Sequence, residues 1–169
     1  MREAFRLLAH EGLLVHELNR GVFVRELTRS DIEGIYQFRR VLELSAVRSA
    51  ETHSPARLSA VRLAVTEALS AAEQEDWHAV GTANMNFHLA ITALAGNARM
   101  DAAIRQLLAE MRLAFYVMDP VKDFHAPYLP VNVDICELLE RGSCDEAADR
   151  LEAYLDTACR QLLEAFEAR

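Results

Sequence analysis

Glycine and proline are scarce in this sequence, with 6 and 4 copies among 169 residues. Both weaken helix interiors, so their scarcity, beside abundant Ala, Leu, Glu and Arg, favours helices over a β-rich fold. Long hydrophobic runs are missing too, and no stretch approaches the ~18–20 apolar residues that a membrane span needs. The sequence therefore predicts a helical, cytoplasmic protein without membrane association.

Cysteine is also rare. The three copies, Cys136, Cys144 and Cys159, are an odd number without the spacing of a zinc finger, so we expect free thiols. The chain lacks a glycine-rich phosphate loop, a nucleophile elbow and a paired-cysteine zinc site. An enzyme using His88 as a general base lacks a visible nucleophile or orienting group, and we expect no enzymatic activity.

Positive charge is in short supply, because 18 Lys and Arg face 26 Asp and Glu for a net charge of −8. This balance argues against a surface that binds nucleic acid throughout, since phosphate contacts need basic side chains. The charge is uneven, however. Residues 1–30 hold five Arg against four Glu, which leaves −9 for the rest of the chain. A near-neutral head precedes an acidic body.

The head, residues 1–27, contains a helix followed by a hairpin. Residues 2–10 have helical spacing and are followed by Gly12, a typical helix terminator. The short apolar runs 13–18 and 21–27 flank Asn-Arg-Gly, which predicts a two-stranded β wing.

Residues 28–169 contain only helical patterns, and Ser30 with Glu33 has the spacing of a capping box. The predicted helices cover residues 31–52, 56–74, 77–95, 98–118, 129–141 and 145–167. The one long break, 119–130, holds three of the four prolines. Short connections elsewhere imply antiparallel neighbours, so the fold class is an all-α bundle of about six helices preceded by a small wing.

Several polar residues occur on the apolar faces of these helices. Asn84 and His88 lie one turn apart on the third helix, and Tyr154 belongs to the apolar stripe of the last helix. Asn132 falls near the start of the fifth helix, and Arg39 lies mid-helix among apolar residues. Each needs a partner if it is buried. For Arg39 that partner could be Glu43 on the next turn, which would make it purely structural.

Two segments of the sequence resemble a known family of bacterial regulators. The segment REAFRLLAHEGLLVHELNRGVFV resembles the second half of the winged helix-turn-helix of GntR-type regulators. The remainder, from FRRVLELSA through NFHLAITALAGN to the last helix, is similar to the FadR-like, FCD-type effector domain. The resemblance implies a dimeric transcriptional regulator that binds operator DNA with its head and a small carboxylate effector in its helical bundle.

The resemblance also implies a position for a metal. Many such domains hold a divalent ion with an Asp or Asn, a His four residues later, and two further His. Asn84 and His88 match the first pair, but the other two positions fall on Asn132 and Tyr154. A neutral amide and a phenol with a pKa of ~10 are poor ligands, so we expect no metal and no other cofactor. The alternative is Zn or Ni at His88, with His125 as a substitute ligand.

Without a metal, the site can still bind an effector directly. We expect Arg39 to pair with an organic acid or other anion while Asn84, His88, Asn132 and Tyr154 supply hydrogen bonds. Arg112 on the fourth helix is a second candidate cation.

The DNA-binding positions by resemblance are Arg2, Arg20 and Gly21. The family pattern places the first residues of this sequence inside the recognition helix. We therefore expect weak operator binding by this polypeptide and strong binding by a full-length form. Three explanations for the missing part of the pattern are a misassigned gene start, a fragment and a degenerate paralogue. The alternative function is an effector-binding or dimerisation module without DNA binding. We expect a homodimer, with the first and fourth bundle helices as candidate interface elements.

Overall fold

The predicted wing is a two-stranded antiparallel hairpin. Strand β1 (Leu14–Glu17) pairs with β2 (Gly21–Val24), so that the first residue of β1 faces the last residue of β2. Gly21 at the tip has φ +108°, a conformation that side chains with a Cβ rarely adopt. Both strands are shorter than predicted. Arg25 follows β2, donates its backbone N–H to the Leu13 carbonyl and directs its side chain toward the bundle.

Helices make up the rest of the fold. The computed structural model describes residues 3, 5, 8, 9, 12–18, 20–49, 54–115 and 121–167. Its helices are α1 (Arg29–Arg48), α2 (Pro55–Glu73), α3 (Trp77–Ala93), α4 (Ala98–Phe115), α5 (Val121–His125), α6 (Tyr128–Glu140) and α7 (Cys144–Glu167). The all-α bundle with a wing is therefore confirmed. The predicted helix 2–10 is described only at residues 3, 5, 8 and 9, which are helical.

The start of α1 differs from the prediction. The capping box is formed by Thr28 and Asp31, not by Ser30 and Glu33: the Thr28 hydroxyl accepts from the Asp31 backbone N–H, and the Asp31 carboxylate accepts from the Thr28 N–H. An aspartate three residues after the cap can make the same reciprocal bonds as a glutamate. The helix consequently begins two residues earlier than predicted.

The other helix starts follow the predicted signals, with Ser54 capping α2 and Asp76 capping α3. The break predicted at 119–130 is wrong in part, because it contains the short helix α5 and the start of α6. Proline disrupts helix interiors but fits at helix starts, and Pro127 is the residue before α6. Helix α1 ends at Arg48, before its predicted end at residue 52. Helix α4 is described as far as Phe115, and its predicted end at residue 118 lies outside the described residues.

The core lies around α3, which packs against α1, α2, α4 and α5. Helix α7 packs against α1 and α6 and closes the opposite side of the bundle. Phe87 and Ile91 of α3 and Leu151, Leu155 and Leu162 of α7 are fully buried. The predicted apolar faces of both helices are therefore the faces that build the core, and their polar members are carried inside with them.

The junction between wing and bundle is held by Arg25. Its guanidinium donates to Asp31 on α1 at 2.6 Å and to Glu110 on α4 at 3.0 Å. Glu110 is largely buried and also lies against Gly12, where a Cβ would come within 3.2 Å of its carboxylate oxygen. Leu27, two residues after Arg25, is buried in the core. These contacts tie the head to the first turn of α1.

Gly96→Ala is expected to destabilise the protein by about 1–2 kcal/mol. Gly96 has φ +64°, and a Cβ there would come within 2.5 Å of the Arg57 guanidinium, which donates to the Leu94 carbonyl. Chemical denaturation measures the change.

Two glycines serve as controls for Gly96. Gly142→Ala carries only the backbone cost, since Gly142 has φ +75° and open space around it. Gly34→Ala, in open space on α1, is expected to stabilise by about 0.5–1 kcal/mol because alanine is the better helix former. Equal losses at positions 96 and 142 would rule out a contribution from Arg57.

Candidate functional site

Six polar side chains from four helices meet inside the bundle, and each is at most 6% exposed. They are Arg39 and Glu43 of α1, Asn84 and His88 of α3, Asn132 of α6 and Tyr154 of α7. The spacing of four residues on α1 and α3 places each pair on one helix face. All five residues predicted to bind the effector are thus brought together, with Glu43 as the sixth member.

An ion pair forms one end of this buried network. Arg39 Nε donates to Glu43 Oε1 at 2.8 Å, and the guanidinium lies 5.1 Å from the centre of the Tyr36 ring. Burial acts to raise the pKa of Glu43, but the charge of Arg39 and the contact with His88 outweigh it, and the pKa is lowered. Burial likewise opposes the charge of Arg39, and Glu43 overcomes it and raises the arginine pKa. Both groups therefore remain ionised.

His88 is the link between Glu43 and the rest of the network. Its Nδ1 lies 2.6 Å from Glu43 Oε2, and its Nε2 lies 3.1 Å from the Tyr154 hydroxyl. Burial lowers the pKa of His88 despite the attraction of Glu43, and Arg39 lowers it further. Since Arg39 already balances the charge of Glu43, a protonated imidazole would add an unpaired buried charge. We therefore expect His88 to be neutral, with its proton on Nδ1, the nitrogen that faces the Glu43 carboxylate.

Two amides extend the network to α6. Asn84 Nδ2 donates to the Tyr154 hydroxyl at 3.1 Å, and Asn132 Nδ2 donates to Asn84 Oδ1 at 2.8 Å. The Tyr154 hydroxyl also lies 3.2 Å from Asn84 Oδ1, but its single proton is needed by His88 Nε2. Burial raises the pKa of Tyr154, so the phenol keeps that proton.

Two buried atoms of the network have no hydrogen-bond partner among the described residues: Arg39 Nη2 and Asn132 Oδ1. An unpaired buried polar atom costs free energy, and a group that pairs with it recovers that cost. One end of the network therefore offers a cationic donor, and the other end offers an acceptor.

Two further residues named from the sequence lie elsewhere. Arg112, the second candidate cation, is exposed on α4 and does not belong to the buried network. The α4 core face is formed by its neighbours Met111 and Ala114 instead. His125 is buried, but its ring packs edge-on against Phe115 and Phe124.

Sequence reasoning missed the double role of Glu43. The helical spacing predicts Glu43 only as a structural partner for Arg39, whereas its second carboxylate oxygen also contacts His88. The signal was present in the pattern, since Glu43 lies between Leu42 and Leu44, both buried. A charged residue inside an apolar run predicts a buried partner.

Comparison with known proteins decides the family. The profile of the FCD domain matches residues 34–157, which include all six network residues. The chain belongs to the FCD-domain family of GntR transcriptional regulators. Members of this family are regulators of transcription and not enzymes, as the sequence predicted.

Individual relatives agree with this family. A structure described as a GntR transcriptional regulator from Rhodococcus sp. RHA1 is 42% identical, with a TM-score of 0.90, and the match covers 97% of this chain and 79% of that one. The Nta operon transcriptional regulator of Aminobacter aminovorans is 27% identical over 97% of this chain and 77% of its own length. E. coli McbR/YncC shares the fold, with 20% identity and a TM-score of 0.82. The match covers 97% of this chain and 83% of that one.

The metal implied by the family resemblance does not fit these residues. Both ring nitrogens of His88 are engaged, Nδ1 by Glu43 and Nε2 by Tyr154. The two further ligand positions that the resemblance implies fall on Asn132 and Tyr154, an amide and a phenol. Within the described part of the chain, no group of three or more His, Cys, Asp or Glu side chains could hold an ion. Transition metals in proteins prefer imidazole, thiolate and carboxylate ligands, which this FCD domain does not offer together.

Two of the three residues predicted to contact DNA, Arg20 and Gly21, lie at the wing. Arg20 is exposed and donates to Glu17 at 2.6 Å, with its guanidinium 5.8 Å from the centre of the Phe23 ring. Gly21 forms the tip beside it, and Arg2 lies outside the described residues. DNA contact by these residues stays a prediction. No helix in the described ranges is long and apolar enough to cross a membrane.

Proposed function

We propose that this protein is a ligand-responsive transcriptional regulator whose helical bundle binds a small organic anion. The observation that carries the proposal is the pair of buried, unpartnered atoms in a network built from four helices. Arg39 keeps one nitrogen for Glu43 and has Nη2 left for an effector carboxylate. Arg39 can thus be both a structural residue and an effector-binding residue, because its Nε contacts Glu43 and its Nη2 remains for the effector.

In this proposal, α1 transmits effector binding to the wing. That helix carries Arg39 and Glu43 in its middle and Asp31 in its first turn, where Arg25 of the head is attached. Arg25 also reaches Glu110 on α4, so a shift of α1 relative to α4 would strain the attachment of the wing. In this proposal the head binds operator DNA in the cytoplasm, and the effector changes the position of the head.

Thermal shift tests the effector site. The protein is screened with sodium salts of small mono-, di- and tricarboxylic acids. We expect at least one acid to raise Tm by roughly 5–10 °C when its concentration is a hundred times its Kd. Arg39→Lys keeps the positive charge beside Glu43 and removes the nitrogen left for the ligand, so it should abolish the shift.

Arg40→Lys is the matched control, since Arg40 is adjacent and its guanidinium contacts Glu152 and Asp156 on the outside of α7. A shift that survives Arg39→Lys, or no shift with any acid, contradicts this effector site.

We further propose that no metal takes part in effector binding. Purified protein should contain no stoichiometric Zn or Ni, and neither ion should change Tm. The double variant Asn132→His and Tyr154→His supplies the two missing imidazoles and is the positive control, expected to gain binding of both ions. Tight binding of either ion by the unmodified protein would contradict the proposal.

The regulator is proposed to act as a homodimer through α1. Phe38 and Val41 lie one turn apart on this helix and are 47% and 66% exposed, an apolar strip between Gly34 and Ser45. Sedimentation measures the oligomeric state of the protein and of a variant with both Phe38→Glu and Val41→Glu. A monomer at micromolar concentration in the unmodified protein would exclude the dimer.

Operator binding separates the leading proposal from its alternative, a module that binds effector without DNA. Selection from random duplexes, followed by fluorescence anisotropy at two salt concentrations, gives affinity and its salt dependence. Sequence-specific binding weakened by Arg20→Ala supports a DNA-binding head. Absence of any selected sequence supports the alternative.

A further inference from the structure

The interior of the buried network has little hydrogen-bonding capacity to spare. Both oxygens of Glu43 are used, one by Arg39 and one by His88, and both nitrogens of His88 are used. Asn84 donates to Tyr154 and accepts from Asn132. The side chains of Glu43, His88, Asn84 and Tyr154 thus find their partners within the network. The unpartnered atoms belong to Arg39 and Asn132.

The direction of every hydrogen bond follows from Glu43. A carboxylate only accepts, so His88 must donate from Nδ1 and accept at Nε2, which makes the Tyr154 hydroxyl the donor there. The phenol oxygen then accepts from Asn84, and this orients the Asn84 amide with its oxygen toward Asn132. Asn132 must donate to that oxygen. Its own Oδ1 is consequently turned away from the network as a buried acceptor.

We propose that this oriented chain makes Asn132 the specificity-determining residue of the effector site, which then requires a ligand that donates a hydrogen bond at Oδ1 and presents an anionic group to Arg39 Nη2. The inference rests on the proposed effector site and narrows its ligand class. A hydroxy acid or an amino acid carries both groups, whereas the keto acid with the same carbon skeleton has only acceptors. Tyr154 is a positioning residue, because it orients Asn132 through Asn84.

Calorimetric titration with matched compounds tests this specificity. The probes are lactate, alanine and pyruvate; 2-hydroxybutyrate, 2-aminobutyrate and 2-oxobutyrate; and 2-hydroxyglutarate, glutamate and 2-oxoglutarate. In at least one set, the hydroxy or amino member should bind roughly tenfold to a hundredfold more tightly than the keto member, since the keto oxygen would face the Asn132 acceptor.

Tyr154→Phe tests the positioning role. Without the hydroxyl, the Asn84 amide loses the bond that orients it, and the preference for the donor-bearing member should fall to less than threefold, with binding still dependent on Arg39. Tyr128→Phe is the matched control: the centres of the Tyr128 and Tyr154 rings lie 4.4 Å apart, but the Tyr128 hydroxyl donates to Gln161 outside the network. It should keep the full preference.

The direction of the hydrogen bonds in the network can be measured separately, by NMR. The ¹⁵N chemical shifts of His88 at neutral pH should identify a neutral ring protonated on Nδ1, and a proton on Nε2 would overturn the inference whatever the ligand results. Equal affinity for hydroxy and keto members also overturns it, while leaving the effector site intact. Failure of all nine probes, and of the carboxylic acids in the thermal-shift panel, removes the proposed effector site itself.

Discussion

Glu43→Gln is expected to lower the free energy of unfolding by about 3–5 kcal/mol, the largest loss we predict for a single substitution. Among the described residues, Glu43 carries the only negative charge in contact with the Arg39 guanidinium, which is almost fully buried. The substitution removes that charge. It also takes a carboxylate oxygen from His88. The shape of the side chain is nearly unchanged, so the loss measures charge and hydrogen bonding more than packing. Urea denaturation at neutral pH measures it.

Two variants make the result for Glu43 interpretable. Glu33→Gln, on the same helix, removes a partner of Arg29 in an exposed ion pair and should cost less than about 1 kcal/mol. The double substitution Arg39→Met, Glu43→Leu removes both charges and should recover most of the loss, because no unpaired buried charge remains. A loss at Glu43 no greater than that at Glu33 would mean that the buried pair contributes no more than a surface pair.

Acidification is expected to destabilise the protein through His125, by on the order of 3 kcal/mol between pH 6.5 and pH 4. Burial lowers the pKa of His125 to about 4, and the nearby His78 adds to the effect. The unfolded chain, with a pKa near 6.5, binds the proton more readily than the folded chain in this interval. Stability is therefore complete above pH 6.5 and is lost as the pH falls toward 4.

His125→Phe removes this loss, because phenylalanine cannot take up the proton. The ring should be tolerated beside Phe115 and Phe124, although Gly81 leaves little room, as a Cβ there would lie 2.8 Å from His125 Nε2. The measurement is the free energy of unfolding at pH 7, 6, 5 and 4 for both proteins. His16→Phe, at an exposed position on β1, is the control. Parallel curves for the wild type and His125→Phe would contradict the prediction.

Local signals predicted most of the fold correctly. Ser54-Pro55, Asp76 and Gly96-Asn97 mark helix boundaries because capping depends on residues within one turn of each other. The same reasoning misplaced the start of α1, since Thr28 with Asp31 and Ser30 with Glu33 both satisfy the pattern. Spacing alone does not distinguish two overlapping capping boxes; the packing of Leu27 and the attachment of Arg25 to Asp31 favour the first.

The candidate site was predictable as a set of residues and not as a mechanism. Helical periodicity placed Asn84, His88 and Tyr154 on apolar faces, and the family resemblance joined Asn132 to them. The roles assigned to these residues stay predictions. Neither source indicated that Glu43 contacts His88, because the two residues lie 45 positions apart on different helices. Only the packing of α1 against α3 brings them together.

The sequence by itself determined the helical bundle, the wing and the family, because capping, periodicity and motif residues act over a few positions of the chain. Tertiary structure decided which polar atoms are paired. The order Arg39, Glu43, His88, Tyr154, Asn84, Asn132 passes through four helices, and its direction follows from one carboxylate that can only accept. Such an order exists only when the helices are packed, since each hydrogen bond depends on a neighbour that is distant in sequence.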